Sequence, residues 1–145
     1  MKPETLLAFD FGEKRIGVAV GNTLARRAQP LRVLCASNQA SRLLQIGELI
    51  EEWQPDRLVM GIPYSAEGAE HLLTRRAERF ARQLEGRFGL PVERIDERFS
   101  SVQAEVVRRE LREQGLVRKS TGIDHFAAEI ILQHFFESTH AQLTA

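Results

Sequence analysis

Apolar positions in the first sixty residues fall mostly in short runs of strand length, and later ones fall mostly at helical spacing. Leu6-Leu7-Ala8-Phe9 is a continuous apolar run, which predicts a fully buried strand over Thr5 to Phe11. Gly12-Glu13-Lys14 links it to a second strand, Arg15 to Gly21, as a hairpin. A third strand is expected from about Leu31 to Ala36. From Gln39 to Trp53, residues Leu43, Leu44, Ile46, Ile50 and Trp53 recur at helical spacing, and Pro55 closes that helix. Arg57 to Gly61 is a short apolar strand. A long charged helix follows, from about Glu67 to Arg87, with Leu72, Leu73, Ala77, Phe80, Ala81 and Leu84 as its apolar stripe and Gly89 as its stop. Val92 to Asp96 is a fifth strand. Ser100 and Gln103 form a capping box for a helix reaching about Glu113, Gly115 to Ser120 is a basic loop, and Ile123 to Glu137 is a last amphipathic helix.

The order βββ-α-β-α-β-α-α predicts an α/β fold. Its mixed sheet has three antiparallel strands first, then parallel strands, with helices packed on it. With 145 residues, no repeat and no linker, residues 1–145 read as one domain.

Charge changes this picture only locally. The 20 basic and 20 acidic residues cancel, so no global field advertises a polyanionic partner. Residues 71–119 nevertheless carry 12 basic against 8 acidic side chains, and 17 of the 20 basic residues are Arg. Cys35 is the only cysteine, which excludes a disulfide framework within the chain and fits a reducing compartment. The opening apolar run is too short for a signal peptide, and no stretch reaches the roughly 20 apolar residues of a membrane span. The expectation is a cytoplasmic protein with no membrane partner.

Three acids stand where charge is costly. Asp10 sits between Phe9 and Phe11 at the end of a buried strand, where a bare carboxylate must be met by a cation or by donors. Glu97 follows the fifth strand beside Asp96, and strand alternation lets only one of that pair reach a shared site. Asp124 opens the last helix on the stripe of Ala127, Ala128, Ile131 and Phe135, with His125, Glu129 and Gln133 expected to face solvent. Each acid also has a purely structural explanation. Asp10 can accept from turn amides, Glu97 can favour a helix dipole or pair with Arg98, and Asp124 completes the capping box Thr121-Gly122-Ile123-Asp124. Together they can converge on one edge of a sheet. Oxygen-only ligation suits Mg²⁺ or Mn²⁺, and two such ions can stabilise both oxygens of a phosphodiester displacement.

Asp10-Phe11-Gly12-Glu13-Lys14-Arg15-Ile16-Gly17-Val18-Ala19, Gly61-Ile62-Pro63, Asp96-Glu97-Arg98-Phe99-Ser100-Ser101 and the segment opening at Asp124-His125-Phe126-Ala127-Ala128 resemble the YqgF/RuvX family, in order and over nearly the whole chain. The resemblance implies an RNase H-like fold related to Holliday junction resolvases. It also implies an endonuclease that matures the 5′ end of 16S ribosomal RNA. Asp10, Glu97 and Asp124 match the family's catalytic acids. Two segments depart from the family pattern: Tyr64-Ser65-Ala66-Glu67-Gly68 after Pro63, and Lys119-Ser120-Thr121-Gly122-Ile123 before Asp124. Both put substrate contacts in question more than the carboxylates.

Lys14 and Arg15, in the hairpin beside Asp10, are candidates to steady a phosphate, as are Arg98 beside Glu97 and Arg118 and Lys119 before Asp124. Arg75, Arg79 and Arg82 share a helix face, where a solvated surface with Glu partners such as Glu78 is the simpler reading. The expected partner is structured RNA, namely precursor 16S rRNA alone or within the small ribosomal subunit. Two alternatives remain: a resolvase acting on branched DNA, and a non-catalytic RNA-binding assembly factor. Monomer and homodimer are both open.

Overall fold

The apolar run that opens the chain becomes the centre of a sheet. The computed structural model describes residues 2–35, 38–64, 72–96 and 123–144. Its elements are β1 (Thr5–Asp10), β2 (Arg15–Asn22), β3 (Ala28–Cys35), α1 (Gln39–Trp53), β4 (Arg57–Ile62), α2 (Leu72–Phe88), β5 (Val92–Asp96) and α3 (Ile123–Thr144). The strand order is β3-β2-β1-β4-β5. β1 runs antiparallel to β2 and parallel to β4, and β4 runs parallel to β5. This is the mixed sheet expected from the element order. The helix expected from Ser100 to Glu113 lies outside the described residues.

β1 is central because it can be: from Leu6 to Asp10 every residue is buried, so both of its faces are covered. β3 starts at Ala28, three residues before the expected Leu31. Pro30 hid this extension. A proline is tolerated because β3 is an edge strand, and the register shift between Val18 and Ala19 falls opposite it.

Two unlike layers cover the sheet. One face carries Leu7, Phe9, Ile16, Val18, Val20, Met60 and Ile62 against Ile46 and Leu49 of α1 and Ala77, Phe80, Ala81 and Leu84 of α2. The other carries Leu6, Ala8, Ala19, Ala28 and Val59 under Ala128, Ile131, Leu132 and Phe136 of α3. Small residues therefore pave the α3 face and large ones the α1/α2 face.

Several expected stripe positions shift. Leu44 is 63% exposed and Trp53 sits at the surface, while Leu49 is buried in α1. In α2, Leu72 is 58% exposed and Thr74 is buried, its hydroxyl donating to the Pro63 carbonyl. That bond ties the segment after β4 to the helix. Asn38 caps α1 by accepting from the Ser41 amide at 2.8 Å, and Gln54, in the left-handed region at φ 49°, ends it before Pro55.

Gln133 does not take the solvent side. Its amide oxygen accepts from the Ala28 amide at 3.1 Å and its nitrogen donates to the Arg26 carbonyl at 3.1 Å. Arg26 in turn donates to the Phe136 carbonyl. Phe136, not Phe135, is the fully inserted aromatic. A Cβ on Gly21 would stand 2.9 Å from the Phe136 ring and 2.7 Å from the Arg27 carbonyl oxygen, so only glycine lets α3 approach β2 there.

Candidate active site

Asp10 ends β1 and is only 6% exposed. It pairs with Gly17 of β2 and Gly61 of β4, and Gly61 pairs with Ile95 of β5. Paired residues on neighbouring strands share a face. Leu6 and Ala8 precede Asp10 at intervals of two and pack under α3, as does Ile95. The row Gly17-Asp10-Gly61-Ile95 therefore belongs to the α3 face. Asp10 has a glycine on each flank in the neighbouring strands, and both glycines are buried. Glycines placed inside buried strands mark a place where something else approaches closely. Neither Gly17 nor Gly61 stands out in the sequence as a site residue, yet the signal is present: both interrupt apolar strands in which no turn is formed.

Asp96 pairs with Ile62, whose side chain joins the opposite core. Of the two neighbouring acids that strand alternation had to divide, Asp96 thus belongs to the face away from Asp10. Glu97 lies outside the described residues.

The direction of α3 follows from its tail. Phe136 meets Gly21, which pairs with Leu6 at the start of β1. Four strand residues separate Leu6 from Asp10, a rise of about 13 Å. Twelve helical residues separate Phe136 from position 124, a rise of about 18 Å. The first turn of α3 is therefore at the Asp10 end of the sheet. Position 124 lies on the helix face that Ala127, Ala128 and Ile131 bury against the strands. The Asp124 side chain is outside the described residues. Among the described residues, no group of three or more His, Cys, Asp and Glu side chains comes together.

The hairpin brings basic residues to the same edge. A Cβ at Gly12 would lie 2.5 Å from the Arg15 carbonyl oxygen, so the tight return after Asp10 requires glycine. Arg15 opens β2 two residues before Gly17, which puts it on the Asp10 face, and it is exposed. Lys14 is exposed in the turn. Glu13 is held by Arg76 of α2, which ties the turn to the opposite layer. Arg98, Arg118 and Lys119 lie outside the described residues.

A sheet of this order, with a buried acid at the end of its central strand, is the RNase H-like architecture of junction-resolving nucleases. The fold is similar to that of T. thermophilus RuvC in complex with Holliday junction substrate. That likeness has a TM-score of 0.61 at 19% identity and covers 94% of this chain and 96% of that one. The fowlpox virus Holliday junction resolvase gives a TM-score of 0.56 at 13% identity, over 92% of this chain and 99% of that one. The family model "RuvX: Holliday junction resolvase" matches residues 4–138. A Bordetella parapertussis protein named "Putative pre-16S rRNA nuclease" is 48% identical over 138 residues, 95% of this chain and 97% of its own length. A Burkholderia multivorans protein of the same name is 50% identical over 133 residues, 92% of this chain and 89% of its own. The chain belongs to the RuvX family.

Proposed function

We propose that this chain is a metal-dependent endonuclease that hydrolyses phosphodiester bonds and trims the 5′ end of precursor 16S rRNA. One observation carries the reading: a carboxylate buried at the end of the central strand, with glycine on both sides in the neighbouring strands. A carboxylate buried there must be met by a cation or by donors, and an oxygen donor set fits Mg²⁺ or Mn²⁺. The names of the family relatives support RNA as the substrate.

Asp10 would hold the metal together with Glu97 and Asp124. Glu97 stands two positions past Ile95, the row partner of Gly61, so a strand continued by that interval would return to the Asp10 face. When bound, the divalent ions supply charge stabilisation at the attacking and leaving oxygens of an in-line displacement. Arg15 binds a non-bridging phosphate oxygen beside the scissile bond, and its fork fixes the orientation of that phosphate. Lys14 adds charge to the same edge, and Arg98, Arg118 and Lys119 are assigned to the flanking backbone. No helix among the described residues is long and apolar enough to cross a membrane.

The test is incubation of the purified chain with 5′-extended 16S precursor RNA and, in parallel, a four-way DNA junction, with Mn²⁺, Mg²⁺ or EDTA, beside Asp10→Asn. Metal-dependent RNA cleavage lost in the variant is the expected result. Cleavage of the junction alone would reassign the substrate to branched DNA. Cleavage of RNA by Asp10→Asn at the normal rate would sink the mechanism.

A further inference from the structure

The chemistry at the acid row leaves the arginines of α2 without a task. Arg75, Arg79 and Arg82 follow at intervals of four and three, which sets them along one side of the helix, and all three are exposed. The partner expected for them, Glu78, is taken by the edge strand beneath the helix. Arg94 of β5 reaches Glu78 at 3.3 Å and Glu85 at 3.1 Å. The Arg94 guanidinium holds the Glu85 carboxyl below its usual range. Among the described residues, Arg42, Arg75, Arg79 and Arg82 form no ion pair. Arg82 still feels Glu85 of its own helix, whereas Arg75 and Arg79 have no ion-pair partner on it among the described residues.

Arg79, in the middle of the row, lines a cleft of about 370 Å³ between α1, α2 and the hairpin. Arg42 lies over the Phe11 ring on its floor, 5.6 Å from the centroid, and Arg79 and Gln83 stand on its wall. Phe11 is the residue after Asp10 and belongs to the α1/α2 core. The cleft therefore begins one residue from the candidate catalytic acid, around the same edge of the sheet. From Arg75 to Arg82 the helix rises about 10 Å.

We infer that Arg42, Arg75, Arg79 and Arg82 form a docking track for the phosphodiester backbone of single-stranded RNA flanking the cleaved bond. The inference rests on the nuclease reading for its ligand. Arginine forks match phosphate oxygens, and a track of this kind binds without reading sequence. A strand lying on it would turn over the edge at Phe11 to present its next phosphate to Asp10. Arg76, already held by Glu13, positions the hairpin and is not counted in the track.

The test uses the full chain carrying Asp10→Asn, so that binding is read without cleavage. Its probe is a labelled single-stranded RNA bearing the 5′ extension of precursor 16S, titrated in EDTA over a range of salt. Combining Arg75→Gln, Arg79→Gln and Arg82→Gln should weaken binding and reduce the slope of log affinity against log salt by about two, since each single-strand phosphate contact contributes about 0.7. The matching Arg→Lys set should keep the slope, which also shows that substitution on this face leaves the fold intact. Arg87→Gln, at the end of α2 against the Phe88 ring, should leave it unchanged. An unaltered slope in the Gln set overturns the track, as does an equal loss from Arg87→Gln. Tighter binding of a four-way DNA junction than of RNA through the same arginines overturns the RNA assignment. Failure of the nuclease reading shows separately, as absence of cleavage by the chain with Asp10 intact while the slope still falls.

Discussion

The two faces of the sheet are built to different tolerances. On one, bulky side chains of β1, β2 and β4 support two helices, and the outer surface of α2 carries the arginine row. On the other, Ala8, Ala19, Ala28 and Gly21 let a single helix lie against the strands, in the layer that also contains Asp10. A thick layer of large side chains can repack around an error, and a thin layer of alanines and glycines has little to adjust. The face expected to position ions is the thin one, where placement matters most. The face expected to hold a flexible polyanion is the thick one, where it matters least.

That contrast can be broken most directly at Asp10. Asp10→Asn should reduce cleavage by at least about a hundredfold, the scale of losing one preorganised electrostatic partner. Removing a buried charge should at the same time leave the metal-free melting temperature unchanged or raise it. Mn²⁺ should raise the melting temperature of the native chain and not that of the variant. A lowered metal-free melt would instead make Asp10 a residue that holds the turn. Gly61→Ala puts a methyl beside the carboxylate and should cost up to about a hundredfold in cleavage through misplaced ligands. It should also abolish the Mn²⁺-induced rise in melting temperature.

Stability should separate the faces next. Phe136→Ala, on the buried side of α3, should cost about 3–5 kcal/mol in urea unfolding. Leu44→Ala, on the exposed side of α1, should stay within about 0.5 kcal/mol. Similar costs at the two sites would contradict the packing described here. A comparably small effect belongs to Arg94. Because its guanidinium lowers the Glu85 pKa in the folded state, the associated stability is present above the ordinary carboxylate range. It is lost as pH falls through the lower, folded value. Both side chains are substantially exposed, so the contribution should be below about 1 kcal/mol. Arg94→Gln should remove it, seen as a flatter acid limb in melting temperature against pH.

Much of this was readable in the chain because it is written locally. The buried run before Asp10, the hairpin at Gly12 and the fifth strand ending at Asp96 each depend on neighbours within a few residues. What escaped depends on partners far along the sequence. Gln133 looked like a solvent position because helical periodicity sees only its own helix, whereas its partners Arg26 and Ala28 lie more than a hundred residues away. Glu78 looked like a partner for Arg82 for the same reason, and Arg94 captured it from another strand. Pro30 masked the start of β3 because proline argues against a strand unless the strand is known to be an edge. The alternation Ile16-Gly17-Val18-Ala19-Val20-Gly21, large then small, does announce a sheet with unequal faces. It passes as simple apolarity unless side-chain size is counted.

The clasp of Gln133, Arg26 and Phe136 makes α3 a lever with its fulcrum at the far end from its load. Over the roughly 18 Å from Phe136 to position 124, a tilt of about 3° displaces the first turn by close to 1 Å. A displacement of that size can cost about a hundredfold in rate. Substitutions at Gly21 or Gln133, on the opposite end of the sheet from the acids, should therefore behave as active-site mutations in an assay although every acid is still present in the sequence.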